Sequence, residues 1–437
     1  MDRISHLPDE LLLKILSLRP SAKDVVATMV LSKRWKFLWM YMPRLVYDDH
    51  IIDINQSPEY ATFSRFVERS LFLHKAPVIE TLHLKLGQNC GSGDIETWIR
   101  AAEKHCVHEL IIEIDKPDPS YKTPVTLPGS LYTWCRTLKT LILSNAVLVD
   151  VASPVSFPSL KKLSLTCVKH GGEEFVNKLL SSCPVLEDLV VEQREDDSLT
   201  IMSVRVPSLK RLVLHRFDHN FSKNQSQGFK IDAPSLEHLG IFHTSGFCAI
   251  ETNMTKVVDA NIVFSTWNFW KKLGSVTSFK RLYLCIPSSN DVYPAGSVFH
   301  NLVHLKICTC ETEWLNLLMR VLKDSPNLQA LVLGQCHYLR SSEPRPSWNP
   351  SWNEPSSVPE CLLSSLKTFE WTKYEGAEEE KEAVSFMIRS AKCLKKATIS
   401  ITSKSAESGK EHETMIKELF SSSRRSPDCQ LECTVKL

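Results

Sequence analysis

Cysteine and histidine residues in the second half of the sequence come nearest to a metal-binding set. Cys308 and Cys310 form a Cys-Thr-Cys run, and Cys336 is followed directly by His337 further along the chain. Thiolate and imidazole groups are ligands that Zn²⁺ prefers. Their spacing fits no tetrahedral zinc pattern, and buried strands often carry cysteine as a small apolar residue. We therefore predict neither a metal site nor a cofactor.

Motifs of the common enzyme classes are absent from the sequence. It has no P-loop, no HExxH, no GxSxG elbow and no paired CxxC, and 14 glycines serve the whole chain. We therefore predict a protein that works by binding and is not an enzyme.

Composition sets wide bounds on the class of protein. The chain has 437 residues, 43% of them hydrophobic and 23% charged, which is typical of a globular protein with more than one domain or with a repeat array. A net charge of +2 gives no case for nucleic-acid binding. The opening MDRISHLPDE is not a signal peptide, and no stretch of about 18 residues lacks charge. We expect an intracellular protein of the cytoplasm or nucleus, without membrane contact, whose 14 cysteines are reduced.

The first forty-odd residues predict three short helices. Pro8 suits a first helical position, and Asp9 and Glu10 behind it suit the positive end of the helix dipole. The apolar residues of this helix surround its axis, so it needs cover on more than one side. Two further helical segments follow, near residues 23–31 and 34–39. So short a segment rarely folds without support, and it is either a docking module or a helical cap on the next domain.

The same residues carry a family resemblance. The runs LPDELLLKIL and KDVVATMVLSKRWKFLW resemble an F-box, which we assign to residues 1–48. The resemblance implies binding to a Skp-type adaptor (ASK in plants) and through it to a cullin-RING ubiquitin ligase. Eight Lys or Arg against four Asp or Glu in residues 1–45 suit an acidic adaptor. The positions that match the adaptor-facing or core positions of the motif are Leu7, Pro8, Leu11, Leu12, Ile15, Leu16, Val25, Val26, Leu31, Ser32, Arg34 and Trp35.

A repeated pattern, apolar-x-x-apolar-x-apolar, runs through the rest of the chain. Steps between the units are mostly 22 to 31 residues, and the gap after Leu236 closes if a weaker unit starts at Val257. The pattern resembles irregular leucine-rich repeats, which implies one short parallel strand per unit and a stacked solenoid, assigned to residues 75–340. Besides the weaker unit at Val257, the repeat units start at Ile79, Val107, Leu138, Leu160, Leu186, Leu209, Leu236, Phe279, Leu302, Leu328, Leu366 and Leu394.

The central residue of each strand would face the concave side of such a solenoid. The early positions are mostly aliphatic, namely Ile111, Ile142, Ser164, Val190 and Val213. The later ones are more polar, namely Gly240, Tyr283, Lys306, Val332, Glu370 and Thr398. This surface would suit a protein target with an apolar anchor, unless a loop or helix covers it.

Two further segments stand out. A Pro- and Ser-rich loop over residues 341–360 carries Trp348 and Trp352, which either contact the target or fold back onto the repeats. Residues 361–437 resemble the FBD domain of plant F-box repeat proteins, with VPECLLSSLKTFEW and AKCLKKATI as the matching pieces. They predict a strand, a helix whose acidic start is solvated, and a second strand, which together cap the solenoid. A last helix near Met415 to Phe420 and a short strand near Gln430 to Val435 would follow.

The sequence therefore predicts an α/β protein with an N-terminal three-helix F-box, an irregular leucine-rich-repeat solenoid and a C-terminal FBD cap. The function implied by the resemblance is substrate recognition in an SCF-type ubiquitin ligase. The target-binding positions would be Ile111, Ile142, Ser164, Val190, Val213, Tyr283, Lys306, Trp348 and Trp352. The alternative is a repeat scaffold with no role in ubiquitin transfer.

Overall fold

The computed structural model divides the chain into two compact units, residues Met1–Leu212 and Val213–Leu437, which are described in turn. The description covers the chain except residues 1–3, 5–6, 50–56, 88–89, 116–124, 135, 150–153, 194–198, 217–226, 244–246, 265–277, 287–297, 311–313, 336–356, 403–415, 417–425 and 437.

The first unit begins with short helices. They are α1 (Asp9–Ser17), α2 (Ala22–Ala27) and α3 (Trp35–Leu38), with 3-10 turns at Thr28–Val30 and Trp39–Tyr41. The Ser21 hydroxyl caps α2 by accepting a hydrogen bond of 3.3 Å from the backbone N–H of Asp24. None of these helices exceeds nine residues, so packing must stabilise them more than intrinsic helix propensity does.

Strands of the first unit form a parallel sheet in the order β1, β2, β3, β5, β7, β8. The short β4 and β6 pair with each other. The ranges are β1 Arg44–Asp48, β2 Val78–Leu86, β3 Cys106–Ile114, β4 Thr126–Leu127, β5 Thr140–Ser144, β6 Val147–Leu148, β7 Lys162–Thr166, β8 Asp188–Gln193 and β9 Ile201–Arg205. A further strand, β10 (Arg211–Arg216), begins in the first unit and ends in the second.

Helices cross between some of these strands. They are α4 Ser57–Leu73, α5 Ser92–Ala102, α6 Leu131–Trp134 and α7 Glu173–Ser181. The inner face of α7 carries Phe175, Val176, Leu179 and Leu180, all of which are buried. Gly172 precedes it at φ +112°, a backbone conformation that suits glycine.

The second unit repeats the parallel arrangement, in the order β12, β14, β15, β16, β17, β18, β19, β20. A separate pair is formed by β11 and β13. The strands are β11 Gly228–Asp232, β12 His238–His243, β13 Phe247–Ile250, β14 Asp259–Phe264, β15 Arg281–Cys285, β16 His304–Cys308, β17 Ala330–Gly334, β18 Thr368–Tyr374, β19 Lys396–Thr402 and β20 Gln430–Lys436. The helices are α8 Trp314–Lys323, α9 Glu360–Ser364 and α10 Glu378–Ser390.

Strand positions follow the repeat pattern closely. From the unit at Leu138 onward, each strand begins two residues after the predicted start of its unit. The weaker unit at Val257 supplies β14, which pairs with β12 on one side and β15 on the other. Alternate side chains such as Leu110 and Ile112 are buried while Ile111 between them is half-buried. The two-residue period of a strand therefore turns every apolar pair of the pattern inward.

The C-terminal region has the expected strand, helix and strand in β18, α10 and β19. The prediction of a solvated acidic start was wrong for Glu380, which is fully buried. Its carboxylate accepts hydrogen bonds from the backbone N–H groups of Glu375, Gly376 and Ala377, at 2.9, 2.8 and 3.3 Å. These donors would otherwise be unpaired at the helix start, so the buried charge is satisfied. The predicted strand near the C-terminus is β20, and the predicted helix before it lies outside the described residues except for Ile416.

Candidate functional site

A small apolar core holds the N-terminal helices together. Leu12 and Leu16 of α1 are 0% and 1% exposed, and Val25 of α2 and Trp35 of α3 are also buried. The i, i+4 spacing of the two leucines places both on one face of α1. The sequence alone does not identify this buried face, because apolar residues surround the axis of α1.

Other apolar side chains of the same segment point to solvent. Among the described residues, sixteen large hydrophobic side chains are exposed, and nine of them lie between residues 4 and 41. Leu18 is 82% exposed and Val30 87%. A concentration of exposed apolar side chains is typical of a surface that contacts another protein. We call this set the exposed apolar face: Ile4, Leu11, Ile15, Leu18, Met29, Val30, Leu31, Phe37 and Tyr41.

The twelve residues predicted at the adaptor interface divide into three groups of four. Pro8, Leu11, Ile15 and Leu31 are exposed. Leu7, Val26, Ser32 and Arg34 are half-buried. Leu12, Leu16, Val25 and Trp35 are buried and hold the helices in place. Only the first two groups present side chains that another protein could contact in this conformation.

Six members of the exposed apolar face were not among the predicted residues: Ile4, Leu18, Met29, Val30, Phe37 and Tyr41. Two of them, Met29 and Val30, lie in the 3-10 turn Thr28–Val30, outside the α-helical period on which the prediction relied. A signal was available for Leu18, because it follows the last residue of α1 and precedes Arg19 and Pro20, where no helical partner can cover it.

Charged groups surround this apolar surface. Arg34 donates a hydrogen bond of 2.8 Å from Nε to Asp9 Oδ1, which ties the start of α3 to the start of α1. Lys14, Arg19, Lys23, Lys33 and Lys36 are exposed, and the Nζ of Lys36 lies 5.8 Å from the centre of the Phe37 ring. The segment therefore exposes both apolar side chains and positive charge.

Backbone pairing joins this helical segment to the first repeats. Directly after the segment, β1 pairs in parallel with β2, from Arg44 opposite Thr81 to Asp48 opposite Lys85. The backbone N–H of Lys75 also donates to the Met40 carbonyl at 2.8 Å. Strand pairing fixes both distance and orientation, so the helices are held rigidly against the sheet.

A buried histidine lies close to this junction. His74 follows α4, and its ring meets that of His105 edge to face at 4.9 Å between ring centres. His105 Nδ1 lies 2.6 Å from the Ala76 carbonyl oxygen. Burial, followed by the proximity of His105, lowers the pKa of His74 to about 4. The His74 ring is therefore neutral at physiological pH.

A second candidate surface is a row of half-buried side chains across the strands of the first unit. Strand register places Ile111 beside Ile142, Ile142 beside Ser164 and Ser164 beside Val190. His83 extends this row on the other side of Ile111. The four predicted positions therefore form one lateral line, and His83 is an additional member that the sequence analysis did not name.

The second unit carries a corresponding row with more polar members. Register aligns Gly240, Asn261, Tyr283, Lys306, Val332, Glu370, Thr398 and Glu432. Asn261 comes from the weaker unit at Val257 and was not predicted. The Nζ of Lys306 lies 4.8 Å from the centre of the Tyr283 ring, a cation–π contact between neighbouring strands. Val213 belongs to this unit, and a Cβ at Gly240 would lie 3.3 Å from Val213 Cγ2.

Not every predicted site residue is described. Trp348 and Trp352, like Cys336 and His337, lie outside the described residues. Cys308 and Cys310 do come together, with 2.8 Å between their Sγ atoms, and Cys285 joins them from the preceding strand.

Among the described helices, none combines the length and the apolar character needed to cross a membrane.

Comparison with known families gives matches to three parts of the chain. Residues 4–40 match the family described as F-box-like, residues 95–263 match the LRR repeats of FBD-associated F-box protein At5g56370, and residues 354–399 match FBD.

Whole-chain relatives come from Arabidopsis thaliana. "Probable FBD-associated F-box protein At1g32375" is 59% identical over 433 residues, which is 99% of each chain. "F-box/FBD/LRR-repeat protein At5g56420" is 43% identical over 433 residues, which is 98% of each chain. "FBD-associated F-box protein At5g56370" is 43% identical over 406 residues, 92% of this chain and 90% of the relative.

Proposed function

Because this chain belongs to the FBD-associated F-box proteins, we propose that it is the substrate-recognition subunit of an SCF-type cullin-RING ubiquitin ligase. In this role the F-box docks to a Skp-type adaptor, the adaptor bridges to the cullin, and the repeats bind a target protein. The chain contributes binding and positioning, and the chemistry of ubiquitin transfer takes place on other subunits.

The observation that carries the proposal is the exposed apolar face. Nine large apolar side chains in the first 41 residues face solvent, and burying one such side chain contributes about 1.5–3 kcal/mol. A partner that covers this face would thus gain a large free energy of binding, part of which offsets the cost of association. The surrounding lysines and arginines speed the encounter with an acidic adaptor.

Rigid attachment of the helices to the sheet supports the same role. A substrate receptor acts by holding a target lysine close to the activated ubiquitin, which is a proximity effect. Such an effect is lost if the adaptor-binding segment moves freely relative to the target-binding segment. The pairing of β1 with β2 and the bond from Lys75 to Met40 remove that freedom at the first repeats.

We assign target binding to the two rows of strand residues aligned by the register and to the predicted Trp348 and Trp352. In this proposal residues 1–48 form the three-helix F-box, residues 75–340 a leucine-rich-repeat solenoid, residues 341–360 a connecting loop and residues 361–437 an FBD cap. The aliphatic row of the first unit would anchor an apolar part of the target, and the polar row of the second would select its charge. The site of action is the cytoplasm, the nucleus or both.

Co-expression with a Skp-type adaptor tests the proposal, with complex formation followed by size exclusion. We expect a stable one-to-one complex for the natural chain and loss of the complex for the Leu7→Ala, Pro8→Ala double variant. A folded monomer without complex would contradict the receptor role and leave a repeat scaffold with a helical cap.

Adding the cullin and its RING partner distinguishes a substrate receptor from a scaffold that binds the adaptor without a role in ubiquitin transfer. A receptor should promote ubiquitin transfer to a bound protein or to itself, and the double variant should not. An intact adaptor complex that never supports transfer would favour the scaffold.

A further inference from the structure

Three cysteine side chains of the second unit converge at one edge of its sheet. Cys285 ends β15, Cys308 ends the neighbouring β16, and Cys310 follows two residues later. Cys310 Sγ lies 2.8 Å from Cys308 Sγ and 3.5 Å from Cys285 Sγ, and all three sulfur atoms are within 4.8 Å of one another. The convergence is built by the fold, because parallel strands end at the same edge.

Repeat position explains why these residues meet. Cys285 and Cys308 each occupy the seventh position of their units, FKRLYLC and LVHLKIC. The equivalent position of the preceding unit is Val263, which pairs with Cys285 in the strand register. Residues 308 and 310 are separated by one residue, and the chain bends at Thr309 between them. The backbone N–H of Thr309 donates to the Gly334 carbonyl at 3.2 Å and fixes this short segment.

The surroundings hold the thiols in place. Cys285 is 1% and Cys308 2% exposed, and they form one apolar cluster with Val263. Phe242, Tyr283 and the half-buried Cys310 pack against this cluster. Two of the three sulfur atoms are therefore shielded, and Cys310 supplies the path from solvent.

We propose that Cys285, Cys308 and Cys310 form a three-thiolate site for a thiophilic d¹⁰ cation, Zn²⁺ in the first instance. Thiolate ligands select such ions over Mg²⁺ and Ca²⁺, which prefer oxygen. Among the described residues the ligand set contains three cysteines and neither histidine nor carboxylate. Binding replaces three S–H bonds by three metal–sulfur bonds and releases three protons to solvent.

Distances are compatible with one ion bound by all three sulfur atoms. With Zn–S bonds of about 2.3 Å, tetrahedral ligand sulfurs lie about 3.8 Å apart. The 3.5 Å between Cys285 and Cys310 is close to this value. The pair Cys308 and Cys310 must open by about 1 Å, which small side-chain rotations supply. A water molecule takes the fourth position on zinc.

A bound ion would change both the charge of the site and its stability. Three thiolates with Zn²⁺ carry one net negative charge. A bound ion would join the ends of two consecutive strands. Because it binds only the folded chain, it would stabilise that state by mass action.

Metal binding to the full-length reduced chain tests the proposal. The chain is freed of metal under anaerobic conditions, and Zn²⁺ is added with equilibrium dialysis to count bound ions. Cd²⁺ added separately reports thiolate coordination through its ultraviolet charge-transfer band. We expect one ion per chain, a charge-transfer band, and a rise in the melting temperature with Zn²⁺. Cys310→Ser should lose all three, while Cys393→Ser, which changes an exposed cysteine elsewhere, should keep them.

A labelling experiment on the natural chain keeps the test independent of how the variant folds. Zn²⁺ should slow the alkylation of Cys285, Cys308 and Cys310 by N-ethylmaleimide and leave Cys393 unchanged, as read by peptide mass spectrometry. The proposal is wrong if the reduced chain binds no Zn²⁺, or if binding survives in Cys310→Ser. A further contradictory result would be a pair of thiols that is redox-active but binds no metal. In that case glutathione disulfide would oxidise Cys308 and Cys310 to a disulfide, each cysteine would lose one hydrogen, and two glutathione thiols would form, while the reduced chain would bind no Zn²⁺.

Discussion

The N-terminal helical segment and the repeat strands use apolar residues in opposite ways. In the helices apolar side chains surround the axis, so Leu12 and Leu16 are buried while Leu11 and Ile15 beside them are exposed. In most strands buried and outward positions alternate, and the outward positions include half-buried residues such as Ile111, Ile142 and Val190. The repeats therefore bury their apolar side chains by stacking, whereas the helical segment leaves nine large apolar side chains exposed.

In the proposed role, this contrast distinguishes two kinds of binding surface. The exposed apolar face is large, apolar and positively flanked, as expected for a constant and tight partner. The rows on the sheet differ in character from unit to unit, aliphatic in the first and polar in the second, as expected for a surface that selects a particular target. Substitutions that treat inner and outer positions separately can therefore break or sharpen the distinction.

The largest effect is expected in the core of the helices. Leu16→Ala should destabilise this segment by about 2–5 kcal/mol, because it leaves a cavity among tightly packed side chains. Leu18→Ala, at an 82% exposed position, should change stability by less than about 0.5 kcal/mol. Hydrogen exchange of the α1 amides measures both. Equal effects of the two substitutions would show that the inward and outward faces are assigned wrongly.

A buried charge in the C-terminal region should come next. Glu380→Gln replaces a carboxylate that accepts three backbone N–H groups, and we expect a loss of about 2 kcal/mol in urea unfolding. Glu382→Gln changes an exposed residue of the same helix and should be almost neutral. A neutral Glu380→Gln would contradict the capping role.

Acid should weaken the junction between helices and sheet through His74. The pKa of His74 in the folded chain is about 4, below its unfolded value of 6.5, so the unfolded state binds the proton first as pH falls. Stability is thus full above pH 6.5 and falls as the pH drops to 4, by at most about 3 kcal/mol. Thermal melts of the natural chain and of His74→Gln check this, and the difference between them should shrink at low pH. A pH-independent difference would show that the pKa of His74 is not lowered in the folded chain.

The smallest effect on stability is expected for substitutions in the row of half-buried strand residues of the first unit. Ile142→Thr should cost about 0.5–1 kcal/mol, since this side chain is only half-buried. Leu143→Ala, at the next position and 1% exposed, should cost several times more. Chemical unfolding of the two variants gives the comparison, and similar losses would mean that the row is covered and cannot bind a target.

Much of this architecture follows from local pattern. The Leu-x-Leu alternation fixes where each strand begins and which side chains turn inward, so even the weak unit at Val257 leads to a strand. The buried Glu380 was missed because Ala377, three residues before it, has no side chain that would mark the start of the helix as a cap. Val30 could not be predicted, because the 3-10 turn that exposes it is set by packing with α3. Cys285 was missed because only an alignment of successive repeat units shows that it occupies the same repeat position as Cys308.

Calorimetric titration of the full-length chain with a Skp-type adaptor tests the central claim most directly, using Val30→Asp beside the natural chain. Val30 is 87% exposed and belongs to the exposed apolar face, so its substitution should leave folding unchanged by circular dichroism. A charge placed in a desolvated interface should weaken adaptor binding roughly tenfold or more. Unchanged affinity for Val30→Asp in a folded chain would contradict the assignment of this face to the adaptor.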